Sequence, residues 1–366
     1  MKGTINILQY SGIPVRLHWS FGLIFLWVFY VGRHWNMGLE GMLWIGSLVI
    51  ALFLCVILHE FGHALTAKHF GVKTKDIILS PIGGVARLES LPQKPIQEFY
   101  IAAAGPLVNL GIAVALYPII LIFSPSHWTL STLLKLGPEA NPALIFIPSL
   151  IVLNLGLALF NLVPAFPLDG GRIFRALLSI RMGKFRATKT ATIVGQAFAV
   201  LLALVGLYLG NFFTIVISLF LYFSARQEMQ YVQVQEILTS FTVKDIYRSH
   251  FKKIYAQDPM QLAITEFQKG VERSFLVFNL ADEIIGVLHE EFVLEAIKEK
   301  APEKLTIDYL SPKFEYIDLT DSLKSILEKM QKEGYSILPI RSEGKLLGVL
   351  DRNGLYNFIE LQRKIR

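Results

Sequence analysis

Two imidazoles four residues apart, with a carboxylate beside the first, stand at His59-Glu60-Phe61-Gly62-His63. On a helix, residues four apart share a face, so both rings can hold one Zn²⁺ while Glu60 reaches an attacking water. The preceding run, Ala51-Leu-Phe-Leu-Cys-Val-Ile-Leu58, is apolar enough to belong to a membrane span. Ionisable side chains are costly there and mark function when they persist. The chemistry expected is zinc-assisted hydrolysis inside the bilayer. The plainer alternative is a satisfied polar cluster at a helix end.

Two histidines leave zinc one protein ligand short, because catalytic sites use three and keep one position open. The lone cysteine, Cys55, permits neither a thiolate cluster nor an intramolecular disulfide. The third ligand must therefore be His, Asp or Glu. Asp169 is one candidate, in Asn161-Leu-Val-Pro164-Ala-Phe-Pro167-Leu-Asp169-Gly170-Gly171-Arg172, where prolines and glycines fix an irregular backbone after an apolar span. It can equally cap a helix that begins near Arg172. Glu89 is the rival, although the Pro92 and lysine that follow read as a solvated loop.

Two further elements bear on a substrate. In Ala102-Ala-Ala-Gly105-Pro106-Leu-Val-Asn109, small residues permit close helix approach. Asn109 either polarises a scissile carbonyl and holds its oxyanion, or makes an interhelical hydrogen bond. Ile77 to Leu88, with Gly83 and Gly84, is too broken for a helix and rich in strand formers. It reads as a short hairpin whose edge can hold an unwound peptide, or as a structural loop.

Apolar segments near 16–32, 43–66, 98–123, 143–164, 190–209 and 211–225 each approach the roughly 20 residues a spanning helix needs. A polytopic α-helical membrane protein of about six spans is expected, with a small membrane-associated β-hairpin. The first span lacks a small-residue cleavage pattern and is followed by Arg33-His34, so it is expected to remain as an anchor. A net charge of +6 would suggest nucleic acid in a soluble protein, but the cations gather in loops. Lys68, Lys73, Lys75, Arg87 and Lys94 lie between spans two and three, and Arg172, Arg175, Arg181, Lys184, Arg186 and Lys189 between four and five. The other loops offer little beyond Arg33 and Lys135. That bias puts both termini, and the histidines, on the cytoplasmic side, with no nucleic-acid partner.

The motifs His59 to His63, Gly83-Gly84, Ala104-Gly105-Pro106 with Asn109, and Asn161 to Gly171 together resemble the site-2 protease family of intramembrane zinc metalloproteases. Ile13-Pro-Val-Arg-Leu-His18-Trp19-Ser20 is similar to the opening of its sporulation-type branch. The resemblance implies one Zn²⁺ per chain on His59, His63 and Asp169, Glu60 as general base, and Asn109 beside the reacting carbonyl. It implies a structural role for His18. The substrate expected is a membrane-spanning or membrane-associated protein cut near the cytoplasmic face, in the plasma membrane of a prokaryote.

After Gln227-Glu-Met-Gln230 the chain turns soluble in character, and from about 240 onward two similar halves follow. Val243-Lys-Asp-Ile246 is echoed by Ile307-Asp-Tyr-Leu310, Gln268-Lys-Gly270 by Gln331-Lys-Glu-Gly334, and Ile285-Gly-Val-Leu288 by Leu347-Gly-Val-Leu350. Two copies near 62 residues suit a paired domain. They resemble the cystathionine β-synthase (CBS) pair, often an adenine-nucleotide sensor. Nucleotide binders of that family follow the Gly-apolar-apolar step with Thr or Ser and then Asp; here His289 and Phe292, and Asp351 and Gly354, stand instead. That departure favours homodimerisation or substrate docking over adenine-nucleotide binding. The organisation expected is a protease domain over 1–228, a connector over 229–239, and CBS domains over 240–300 and 301–366. A CBS-regulated transporter or channel is the rival class, distinguished by having no need of the histidine pair with a remote Asp.

Overall fold

The computed structural model describes residues 3–81, 83–89, 92, 94–123 and 142–365, so Lys135 lies outside the described residues. They form two compact units, Met1–Met229 and Gln230–Arg366. In the first, strands β1 (Thr4–Tyr10) and β2 (Ile13–His18) lead through a turn of 3-10 helix to α1 (Gly22–His34) and then α2 (Leu39–His69). Strands β3 (Thr74–Ser80) and β4 (Gly83–Leu88) follow, then α3 (Pro95–Phe123), α4 (Pro142–Asn161), α5 (Asp169–Met182), α6 (Lys184–Tyr208) and the start of α7 (Phe212–Ser240), whose last residues belong to the second unit.

Among the described residues, α2, α3 and α6 are long and apolar enough to cross a membrane by length and composition. α4, Pro142–Asn161, has 20 residues, and α7 runs from an apolar start into polar sequence. The expected first span is revised. Arg16 to His18 close β2, and α1 has only 13 residues, about 20 Å of helix at 1.5 Å per residue. The period of two that marks this strand is present in Ile13 and Val15, both buried while Pro14 and Arg16 are not. It runs directly into apolar α1, which disguises it.

The expected hairpin is part of a larger sheet, ordered β1-β2-β3-β4, with β2 and β3 parallel and the other neighbours antiparallel. Ile13, Val15, Ile77 and Leu79 from its middle strands meet Phe61 and Ala64 of α2 in one core. Gly71, at φ +77°, ends α2 and turns the chain into β3, a conformation a side chain rarely adopts. Asp76, wholly buried, ties three strands together: it takes a 2.6 Å bond from Arg87 Nε on β4 and lies 3.3 Å from Arg16 Nη1 on β2. The charge-assisted bond from Arg87 holds the Asp76 carboxyl below its ordinary range, against the opposing effect of burial.

The second unit repeats one pattern twice. A 3-10 turn at Val243–Asp245 precedes β5 (Ile254–Tyr255), α8 (Met260–Gln268), β6 (Phe275–Phe278), β7 (Ile284–Leu288) and α9 (Glu290–Lys298). A second 3-10 turn, Thr306–Tyr309, precedes α10 (Leu323–Glu333), β8 (Ile337–Ser342), β9 (Lys345–Asp351) and α11 (Arg352–Ile365). Each half has its own core, and Leu276, Phe278, Val287, Ile337 and Val349 join them through the two hairpins. Residues 229–239 are helical, within α7.

Candidate metal centre

His59 and His63 lie in the last three turns of α2, and Asp169 opens α5. The fold brings all three together. The two Nε2 atoms are 3.1 Å apart, and Asp169 Oδ2 is 3.1 Å from one and 3.2 Å from the other. All three residues are buried. Tetrahedral zinc with bonds of about 2.0–2.1 Å separates its donors by about 3.3 Å, so this triangle fits zinc with a fourth position left open. Among the described residues it is the one grouping of three or more such side chains within ligand range.

His63 is aimed by its surroundings, whereas His59 Nδ1 has no hydrogen-bond partner among the described residues. Ile101 offers a carbonyl 2.7 Å from His63 Nδ1; since a carbonyl only accepts, Nδ1 carries the proton and Nε2 keeps the lone pair for metal. Asp169 does not cap its helix: Leu168 is the cap residue, without a side-chain bond, and α5 begins three residues before Arg172. Gly105 is the close approach that lets α3 lie against both rings. A Cβ there would sit 2.3 Å from His63 Nε2 and 2.6 Å from His59 Nε2, over the donors themselves. Glu89 is exposed, with its N–H bonded to Lys73 O, and is not among the grouped donors.

Glu60 is buried and its Oε2 accepts the Ala86 N–H at 2.8 Å. Ala86 lies on β4, an edge strand. That bond points away from β3, so the alternate residue, Gly84, directs its N–H to the same side. Gly84 is required where it stands, since a Cβ would fall 2.7 Å from Glu60 Cγ. Gly83 has φ +137° and precedes it in the strand.

Asn109 is 1 % exposed, and neither its Nδ2 nor its Oδ1 has a hydrogen-bond partner among the described residues. A buried amide left unpaired costs about 1–3 kcal/mol. Asn154 differs, for its Nδ2 donates to Leu150 O at 2.8 Å on its own helix. The interhelical bond weighed for Asn109 is thus not made in this state. Its side chain joins His59, Glu60, Asp169 and Gly84 around one cavity of about 530 Å³, with apolar walls that include Phe160 and Phe220.

The contact made by Gly105 leaves no mark in the sequence, where Arg175 reads only as a topology charge. The buried ion network around Arg175 leaves one usable signal, Glu98, an acid at the head of apolar α3.

Comparison with known proteins identifies the family. The profile of peptidase family M50 matches residues 47–146 and 137–205, and the CBS domain profile matches 307–360. The chain is 32% identical, over the whole of both chains, to a zinc metalloprotease of Methanocaldococcus jannaschii. It is 23% identical to stage IV sporulation protein FB of Bacillus subtilis, over 68% of this chain and 83% of that one. The solved site-2 protease from Methanocaldococcus jannaschii shares 37% identity and a TM-score of 0.46, over 62% of this chain and 95% of that one. With its histidine pair, remote Asp and paired tail, the chain belongs to peptidase family M50, the site-2 proteases, and is a zinc metalloprotease with a CBS domain.

Proposed function

We propose that the protein is an intramembrane endopeptidase that cleaves a membrane-spanning or membrane-associated protein near its cytoplasmic face. One observation carries this reading: Glu60 and an unpaired Asn109 share a mostly apolar cavity with the His59, His63 and Asp169 donors. These three side chains would hold one zinc ion per chain. Zinc, when bound, supplies a Lewis acid that polarises a carbonyl and makes water easier to deprotonate.

Glu60 takes the proton from the attacking water and returns one to the leaving amine. Asn109 Nδ2–H donates to the reacting carbonyl oxygen, which supplies the acceptor this N–H lacks. The apolar walls keep bulk water away and strengthen both interactions. A helical substrate hides its peptide bonds, so it must unwind to be cut. The outward N–H groups of Gly84 and Ala86 offer the unwound segment a strand to pair with. Glu60 occupies the second of these at rest, and a substrate carbonyl would take its place.

The lysine and arginine bias places both termini in the cytoplasm. With Cys55 replaced by Ser, single cysteines at Lys73 and Lys189 are expected to react only with reagents that reach the cytoplasm. One at Asn36 should be blocked by impermeant reagent from outside. The opposite pattern would invert the topology and the side from which substrate reaches the cavity.

We assign the CBS unit to docking or dimerisation. The positions where nucleotide binders place ribose contacts are engaged within the unit. His289 Nδ1 is 2.7 Å from Ser336 Oγ, and Asp351 takes Arg248 at 2.6 Å and the Gly354 N–H at 2.5 Å. Deleting residues 240–366 is expected to keep the zinc stoichiometry while reducing cleavage of the natural substrate about tenfold or more, an affinity loss near 1.4 kcal/mol. ATP is expected to change the full-length rate little. Undiminished cleavage after truncation, or strong ATP dependence confined to the full-length protein, would remove the assignment.

A further inference from the structure

Arg175 is a buried cation for which the hydrolytic chemistry has no use. It lies on α5, six residues after Asp169, and is 1 % exposed. Its Nε donates to Glu98 Oε1 at 2.8 Å, Nη2 pairs with the same oxygen, and Nη1 pairs with Glu228 on α7. The guanidinium also lies 5.0 Å from the centre of the Phe166 ring, in the loop that leads to Asp169. Lys184, at the head of α6, places Nζ 3.9 Å from Glu98 Oε2. Two cations and two carboxylates from α3, α5, α6 and α7 therefore balance at one point.

The place of Glu98 gives this network its meaning. It precedes Ile101 by three residues on α3, and Ile101 is the residue whose carbonyl orients His63. Gly105, which abuts both imidazoles, is one turn further along the same helix. A single guanidinium thus ties the helix that orients a histidine to the helix that begins with Asp169. The head of α5 has no side-chain cap, so close backbone packing at Gly170 and Gly171 and this guanidinium are what hold it. An arginine suits this task because its planar fork reaches two carboxylates in set directions, which a lysine ammonium cannot do.

We propose that Arg175 is a positioning residue: through Glu98 and Glu228 it sets the spacing between Asp169 Oδ2 and the two imidazoles, and so the affinity for zinc. The proposal rests on the reading of His59, His63 and Asp169 as ligands. Removing Arg175 outright would leave Glu98 charged and buried, which endangers the fold. Glu228, whose side chain is 26% exposed, is the gentler handle.

The test uses full-length protein in detergent, with zinc affinity measured by competition against a chromophoric chelator, beside Tm, kcat and KM. Arg175→Lys and Glu228→Gln are expected to melt near the wild-type temperature yet bind zinc several-fold more weakly, less than the roughly 10- to 100-fold that a direct hydrogen-bond partner of a ligand is worth. Their kcat should fall with KM little changed, and Glu228→Asp should recover most of the affinity. Wild-type affinity in both Arg175→Lys and Glu228→Gln overturns the proposal, and so does an affinity loss that merely follows a falling Tm. Asp169→Ala is the control: if it binds zinc like wild type, the ligand reading has failed, and the proposal goes with it.

Discussion

Glu60→Gln is expected to lower peptide cleavage by about 10²–10⁴-fold, the usual worth of a positioned general base, while zinc stoichiometry stays near that of the wild type. The two effects separate because Glu60 is absent from the grouped donors, and its carboxylate is directed instead to the Ala86 N–H. Glutamine keeps the size and one acceptor oxygen, so the bond to β4 and the fit against Gly84 can persist. What it loses is the ability to take a proton. Cleavage by purified Glu60→Gln at the wild-type rate would remove the hydrolytic mechanism, and parallel loss of zinc would mean that Glu60 ligates metal. Comparing the proteomes of cells with each form, and searching for fragments absent from the variant, would identify the substrate by the same experiment.

The parts of this protein that could be read from its sequence are those whose signal is local. His59, Glu60 and His63 fall on one helical face because the period of the helix requires it. The two halves of the tail announce themselves by similarity, and the structure repeats turn, helix, hairpin and helix in that order. Asp169 was legible only in part. Its setting in a loop of prolines and glycines marked it, but capping served as well until its carboxylate was seen to face the imidazoles.

What escaped was set by long-range contact or by one signal masking another. β1 and β2 were hidden because the alternation of Ile13 to His18 runs into apolar α1 with only a 3-10 turn between them. The sheet needs the β2–β3 pairing, which joins Val15 to Ile77 across the whole of α2. Arg175 and Glu98 stand 77 residues apart, and nothing in either neighbourhood names the other. Gly105 carries no side chain to suggest a role, and its requirement follows only from where the histidines end up.

Asp169→Ala is expected to lose both zinc and cleavage, whereas Glu89→Ala should keep both. The sequence left these two carboxylates as rivals for the third ligand position, and their surroundings separate them. Asp169 is buried with Oδ2 at 3.1 and 3.2 Å from the two Nε2 atoms, while Glu89 is exposed and outside the donor group. With alanine at 169, two imidazoles remain, and one of the three protein donors that catalytic zinc ordinarily uses is gone. The affinity loss should exceed the about 10- to 100-fold that an outer-shell partner is worth. The fold should survive, because the head of α5 is held by backbone packing: a Cβ at Gly170 would lie 2.3 Å from Leu162 O, and one at Gly171 2.8 Å from the Ala165 carbonyl carbon. Zinc content by elemental analysis, with melting followed on the same samples, decides the matter. Full zinc occupancy in Asp169→Ala, or zinc loss in Glu89→Ala, would assign the third ligand elsewhere.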